Sequence, residues 1–250
     1  IVYKKEYVDD VYNFLAIDFK DCTLEFRAYD DAVAYRFVST ARKGGFNVAG
    51  EQAEFNFAGN LKTWIPYVRT KGTFEQQWCN SFENIYTVSP LSEWNREQLA
   101  FLPILVKDPD FGSLLLMESD VEDYPGMFIS QTKSGLKAEF SPVPDTFREP
   151  SKHGASYADT YRDYIASTGG SRTFPWRIIG YASKDTELPL NNMVFQTASP
   201  SRIDDTSWIE PGQSTWDWWN AFRLHGVDFK SGINNATYKY HIDFAAANGL

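Results

Sequence analysis

The chain has 250 residues, 43% of them hydrophobic and 23% charged, which excludes a disordered polymer and allows one large core or two modest ones. A net charge of −9 and a pI near 4.9 exclude a nucleic-acid partner, because phosphate binding needs clustered Lys and Arg. There is no run of about 18 apolar residues, so no membrane insertion is expected. The opening Ile1-Val2-Tyr3-Lys4-Lys5 lacks the zones of a signal peptide.

The first two-thirds reads as β-structure. Leu24, Phe26 and Ala28 alternate with polar residues across Thr23 to Tyr29, the period-2 pattern of a strand with one buried face. Asp30-Asp31 supplies a turn, and Val33 to Phe37 returns as the second arm of a hairpin. Further short strands are predicted at Glu54 to Phe57, Leu114 to Met117, Leu136 to Phe140, Trp176 to Gly180 and Met193 to Phe195. Gly44-Gly45, Asp108-Pro109, Tyr124-Pro125-Gly126 and Ser141-Pro142-Val143-Pro144 punctuate them. Many short strands with irregular turns predict a large antiparallel sandwich. Ser141 to Pro175, rich in Pro, Gly, Ser and charge, reads as a long loop, with a helical turn or two where Tyr157, Tyr161 and Tyr164 fall at i, i+4 and i+7.

After about Ser207 the pattern changes. Ser214 to Trp218 is a short β-like run, and Asn234-Asn235 offers an N-cap to a helix over Ala236 to Ala247. Tyr238, Ile242 and Ala245 share one face of that helix, and Asn248-Gly249 closes it. Capping explains Asn235-Ala236-Thr237 better than N-glycosylation. The two cysteines, Cys22 and Cys79, are too few for a disulfide scaffold or a CxxC metal site. Each is expected in the core as a small hydrophobe, with a bridge between them left open. His153, His225 and His241 have no ligand-like spacing. Aromatic residues make up 16% of the chain, with 8 Trp, a content that suits stacking on sugar faces and core packing alike.

Four segments carry a resemblance, in order along the chain. They are Arg27-Ala28-Tyr29-Asp30-Asp31-Ala32-Val33-Ala34-Tyr35-Arg36-Phe37; Met117-Glu118-Ser119-Asp120-Val121-Glu122-Asp123-Tyr124-Pro125-Gly126-Met127; Pro175-Trp176-Arg177; and the Trp-rich run from Pro211 through Trp216-Asp217-Trp218-Trp219-Asn220 to Ala245. Together they resemble glycoside hydrolase family 97. Ala32 stands where most members have Gly, and Ser119 where Ala is common. The resemblance implies a mainly β fold, an antiparallel, galactose-mutarotase-like β-supersandwich over 1–206, followed by the first β/α unit of a (β/α)₈ barrel over 207–250. It also implies that the chain lacks the first sandwich strands, most of the barrel and a final β-domain, with the catalytic carboxylates beyond Leu250. Members are calcium-dependent α-glucosidases or α-galactosidases acting on oligosaccharides or polysaccharides. A periplasmic or secreted location follows from the same comparison.

Glycosidic hydrolysis takes two carboxyl groups, and barrel enzymes keep them at the C-terminal ends of barrel strands. Asp217 is the carboxylate of the one barrel strand expected here, so Trp216, Asp217, Trp218 and Asn220 are the candidate substrate-facing residues. On a strand, Trp216 and Trp218 would share one face, and Asp217 and Trp219 the other. Glu118 ends the apolar run Leu114-Leu115-Leu116-Met117 and opens a carboxylate-rich turn that reads by itself as a solvated loop. The resemblance implies that Glu118 reaches from the sandwich to a calcium beside the catalytic acids; Asp120, Glu122 and Asp123 gain no such role. The alternative reading is a non-catalytic, carbohydrate-binding β-sandwich module, which would have no use for a barrel-entry segment. An isolated mutarotase-like sandwich would need a His and carboxylate pair in a cleft.

Overall fold

The computed structural model describes residues 7–40, 44–69, 74–79, 82–149, 156–219 and 221–250; Asn220 and His153 lie outside them. Among the described residues the strands are β1 (Asn13–Asp18), β2 (Cys22–Ala28), β3 (Ala32–Ser39), β4 (Phe46–Val48), β5 (Glu54–Asn56), β6 (Lys62–Ile65), β7 (Thr87–Pro90), β8 (Ile104–Asp108), β9 (Gly112–Ser119), β10 (Phe128–Gln131), β11 (Gly135–Glu139), β12 (Pro144–Phe147), β13 (Ala158–Tyr161), β14 (Ala166–Thr168), β15 (Arg172–Thr173) and β16 (Trp176–Ala182). Two α-helices follow, α1 (Met193–Thr197) and α2 (Asn235–Asn248). Residues 7–199 form one compact unit, and the described residues from 200 onward belong to another.

In the first unit a large antiparallel sheet runs β1-β2-β3-β16-β9-β8-β6-β7, with β15 beside β3. A three-stranded sheet, β10-β11-β5, packs on one of its faces. Period-2 alternation builds the interface: Leu116 of β9, Ile104 and Val106 of β8 and Ile65 of β6 meet Ile129, Leu136, Ala138 and Phe55 of the smaller sheet. A Cβ at Gly135 would collide with the Phe55 carbonyl oxygen, so only glycine lets β11 lie this close to β5. The opposite face of the large sheet carries a second cluster of Ala32, Ala34, Met117, Trp176, Ile178 and Met193. β16, which contributes to both sides, reads as a near-continuous buried strand.

The hairpin of β2 and β3 and the predicted strands at β5, β9, β11 and β16 form as the alternation requires. Met193 to Phe195 is not a strand but a helical turn, α1. Met193 and Thr197, at i and i+4, are buried on one face, while Val194 and Phe195 are exposed. Ser141 to Pro175 is not one long loop. It contains β12 to β15, and β13 occupies the tyrosine repeat read as helical. The reason is non-local pairing: β14 pairs with β4, from Ala166 with Val48 to Thr168 with Phe46, and no local pattern could reveal a partner so distant. Cys22 is half-buried, Cys79 is exposed and both are free, so neither is a core residue.

In the second unit, α2 begins one residue earlier than its apolar pattern suggests. The N-cap is Asn234, whose Oδ1 accepts from the Thr237 backbone N–H at 3.0 Å and from its hydroxyl at 3.1 Å. Such a cap contributes about 1 kcal/mol. Gly249, with φ of 66°, closes the helix in the left-handed region. Ser214 to Trp218 forms no strand. Among the described residues no partner strand offers it a ladder, and the chain instead turns over Trp216 to Trp219, where the Trp219 N–H donates to the Trp216 C=O and the Ala221 N–H to the Trp218 C=O.

Candidate functional site

Register brings the first three of the four resembling segments together. Arg177 of β16 lies directly opposite Glu118 of β9 and, on its other side, opposite Tyr35 of β3, so all three side chains share the face toward the smaller sheet. Trp176 points to the other face, where the guanidinium carbons of Arg27 and Arg36 lie 4.6 and 4.3 Å from its ring centroid.

Arg177, with 1% of its side chain exposed, is held by two carboxylates. Its Nε and Nη2 donate to the two oxygens of Glu51 at 2.7 and 2.8 Å, and its Nη1 donates to Glu118 Oε2 at 2.6 Å. The guanidinium lies 5.0 Å from the Phe140 ring centroid. Tyr124 donates its hydroxyl to Glu51 at 3.0 Å, and the Met127 N–H donates to both oxygens of Glu118, at 2.9 and 3.0 Å. Tyr124 and Met127 come from the turn after β9, where Asp120 and Asp123 adopt positive φ of 59° and 46°, a region Asp tolerates better than most residues. Asp120 accepts from the backbone N–H and hydroxyl of Ser199, while Arg172 donates to the carbonyl oxygens of Glu122 and Asp123. The acidic turn is therefore clamped to its surroundings rather than freely solvated.

Burial pushes the Glu118 carboxyl above its usual range, and the Arg177 charge and the Met127 N–H pull it back without offsetting the whole effect. Burial also works against the charge on Arg177, but the hydrogen bonds and charge of Glu51 more than compensate, and its pKa rises. Tyr35 is pushed up to about 12, first by burial and then by the charge of Glu51. A tyrosine whose folded pKa exceeds its unfolded value of about 10 contributes stability that is intact below pH 10 and lost as pH climbs through the folded value. In an ultraviolet titration, Tyr35→Phe should therefore remove one tyrosinate from the late step near pH 12, with Tyr124 titrating later still, and leave the early step unchanged. A missing tyrosinate in the early step would show that Tyr35 is not held beside Glu51.

This cluster is not a hydrolytic pair. Two catalytic carboxyls must flank a sugar, whereas a guanidinium fills the space between Glu51 and Glu118. Among the described residues, no group of three or more His, Cys, Asp or Glu side chains could hold a metal ion alone. Of its two anchored carboxylates, the less enclosed is Glu118, at the end of β9. Sequence reasoning found Glu118 but missed Glu51, which lies 126 residues from Arg177. One available signal was Arg177 itself, a cation within the otherwise apolar Trp176-Arg177-Ile178-Ile179, which demands a buried partner.

The other candidates lie in the second unit. Trp216, Trp218 and Trp219 are 58%, 64% and 79% exposed. Because the segment turns, Trp216 does not face away from Trp219; their ring centroids are 5.5 Å apart. Asp217 accepts from the Trp218 N–H at 3.0 Å; desolvation first, then the charge and a hydrogen bond of Asp217, push the Tyr238 hydroxyl up.

The family model for the glycosyl-hydrolase 97 N-terminal domain matches residues 1–200. A retaining α-galactosidase of Bacteroides thetaiotaomicron is 40% identical over 254 aligned residues, covering 99% of this chain and 38% of that relative. A probable retaining α-galactosidase of Streptomyces bingchenggensis is 25% identical over 229 residues, covering 89% of this chain and 29% of the relative. The chain thus spans well under half the length of these relatives. Among solved structures, a family 97 enzyme from Pseudoalteromonas sp. strain K8 in complex with panose superposes with a TM-score of 0.67 at 19% identity, covering 96% of this chain and 37% of that one. A β-arabinopyranosidase superposes with a TM-score of 0.54 at 18% identity, covering 96% and 40%. Both structural likenesses speak to the β-sandwich fold. With its family-model match running from residue 1 to residue 200, the chain belongs to glycoside hydrolase family 97.

Proposed function

We propose that the full-length protein carrying this chain is an exo-acting, retaining α-galactosidase that removes terminal α-linked galactose from oligosaccharides or polysaccharides. The observation that carries this reading is the 40% identity to a retaining α-galactosidase over nearly the whole chain. It favours galactosides over glucosides, since the relatives solved with panose and acarbose share only 19% identity. In this reading the chain from residue 207 opens the catalytic barrel, and the protein works in the periplasm or outside the cell.

Retention needs two carboxyl groups about 5 Å apart, one attacking the anomeric carbon and one serving as acid and then base. These are expected beyond Leu250. Trp216 and Trp218 have exposed rings suited to stacking on a sugar face, and Asp217 and Asn220 are suited to binding its hydroxyls.

Calcium is the expected cofactor, and Glu118 fits the part of a single ligand. Its carboxylate is rigidly held, its Oε1 accepts among the described residues from the Met127 N–H alone, and a Cβ at Gly126 would come within 3.4 Å of that oxygen. Calcium takes six to eight oxygens, so the remaining ligands must come from elsewhere. When bound, the ion supplies positive charge beside the reacting groups; Glu118, Arg177 and Met127 only hold one oxygen in place.

The test is to assay the full-length protein on p-nitrophenyl α-galactoside and α-glucoside and to follow the first-formed sugar by NMR. Faster α-galactoside turnover with α-galactose appearing first is expected, and the 250 residues alone should show no turnover. Preference for the glucoside, or β-galactose as first product, overturns the reading.

A further inference from the structure

Arg177 is shared unequally. Glu51 takes its Nε and Nη2 fork to fork, while Glu118 receives Nη1 alone. Tyr124 adds a third donor to Glu51. Two carboxylates against one guanidinium leave one negative charge over, and fork-to-fork pairing with a further hydroxyl donor compensates Glu51 more completely than one guanidinium N–H and the neutral Met127 N–H compensate Glu118. Glu118 is also the less enclosed of the two, with 16% of its side chain exposed against 8% for Glu51. The surplus charge therefore falls on the carboxylate that ends β9. Without Glu51, Arg177 and Glu118 would form a neutral pair with little left to offer a cation.

We infer that Glu51 is a positioning residue for Glu118: by occupying the fork of Arg177 it fixes the aim of Nη1 and keeps Glu118 a net anionic oxygen ligand. This rests on the proposal that Glu118 binds calcium. Glu51 would act as the outer partner of a metal ligand, a role whose loss typically weakens metal binding by about 10- to 100-fold.

The experiment measures calcium affinity by titration calorimetry on the chelator-stripped full-length protein, together with its thermal midpoint. Glu51→Gln should weaken calcium binding at least about tenfold. Combined with Glu118→Gln, it should add nothing to the loss caused by Glu118→Gln alone. Unchanged affinity in Glu118→Gln would remove the underlying calcium reading. A loss in Glu118→Gln with none in Glu51→Gln would overturn the positioning role and leave that reading standing. A loss in Glu51→Gln that persists in full when Glu118 is already Gln would reduce Glu51 to a general structural residue. Should Glu51→Gln fail to fold, Tyr124→Phe removes only the hydroxyl donor to Glu51. It should weaken calcium binding severalfold with little change in the stripped protein's thermal midpoint, and an unchanged affinity there would overturn the inference.

Discussion

Arg177→Met is expected to cost about 3–5 kcal/mol of folding free energy, because it leaves two buried carboxylates facing each other without their cation. The side chain keeps most of its volume in this change, so packing losses stay small and the electrostatic effect dominates. Glu51 and Glu118 would then be ionised in surroundings that burial already makes hostile to charge, as the raised pKa of Glu118 indicates even with Arg177 present. A carboxyl such as that of Glu118, whose folded pKa lies above the unfolded value, about 4.3 for Glu, favours folding only below it. The deficit should therefore be largest at neutral pH and shrink as pH falls toward 4. Urea denaturation at several pH values measures both features. Adding Glu51→Gln and Glu118→Gln to the Met variant should restore much of the loss, since removing a whole buried ion cluster is often near neutral. A deficit below about 1 kcal/mol at neutral pH would mean that the cluster is solvated like a surface pair.

What could be read from the sequence divides along a physical line. Apolar patterning is local, alternating in β2 and near-continuous in β9 and β16, so these strands and the β3 arm of the hairpin were visible from their own residues. Pairing is not local: β14 finds β4 across the unit and Glu51 finds Arg177 across 126 residues, and although Arg177 in its apolar run calls for a partner, nothing nearby names which one. The same limit explains Ser214 to Trp218, where a short β-like run suggested a strand although the described residues form no ladder there. Met193 to Phe195 failed for another reason, since three consecutive apolar residues fit either period and only the burial of Thr197 selects the helix. Glu118 was singled out by its place after a buried run and by the family resemblance, but its local hydrogen bonds could not be guessed. They depend on the left-handed turns at Asp120 and Asp123 that bring Met127 back to it.

Trp176→Ala should be as damaging as the loss of Arg177, by a different route. Trp176 is fully buried, and its neighbours in the cluster, Ala34, Ile178 and Met193, are fully buried too, with no flexible surface side chain among them to fill the space. Aromatic-to-Ala changes at such sites cost about 3–5 kcal/mol, most of it cavity and lost transfer energy. Arg27 and Arg36 add a second component, since each guanidinium lies within cation–π distance of the ring, at about 0.5–2 kcal/mol apiece. Arg36 keeps Glu25 as an ion partner at 2.7 Å, whereas Arg27 keeps the Tyr12 ring at 4.4 Å and a longer ion pair with Asp10 at 3.9 Å, so Arg27, with the weaker ion pair, should loosen first. Trp176→Phe separates the two components. It retains a π face for both cations and removes the indole N–H, which is buried without a hydrogen-bond partner among the described residues, so that deletion costs no bond there. The Phe variant should therefore lose clearly less than the Ala variant, roughly 1–2 kcal/mol for the smaller ring. Denaturation of both variants, with hydrogen exchange along β2 and β3, checks this. Equal losses in Phe and Ala would show that the indole's full volume, and not its face between two arginines, secures this side of the sheet.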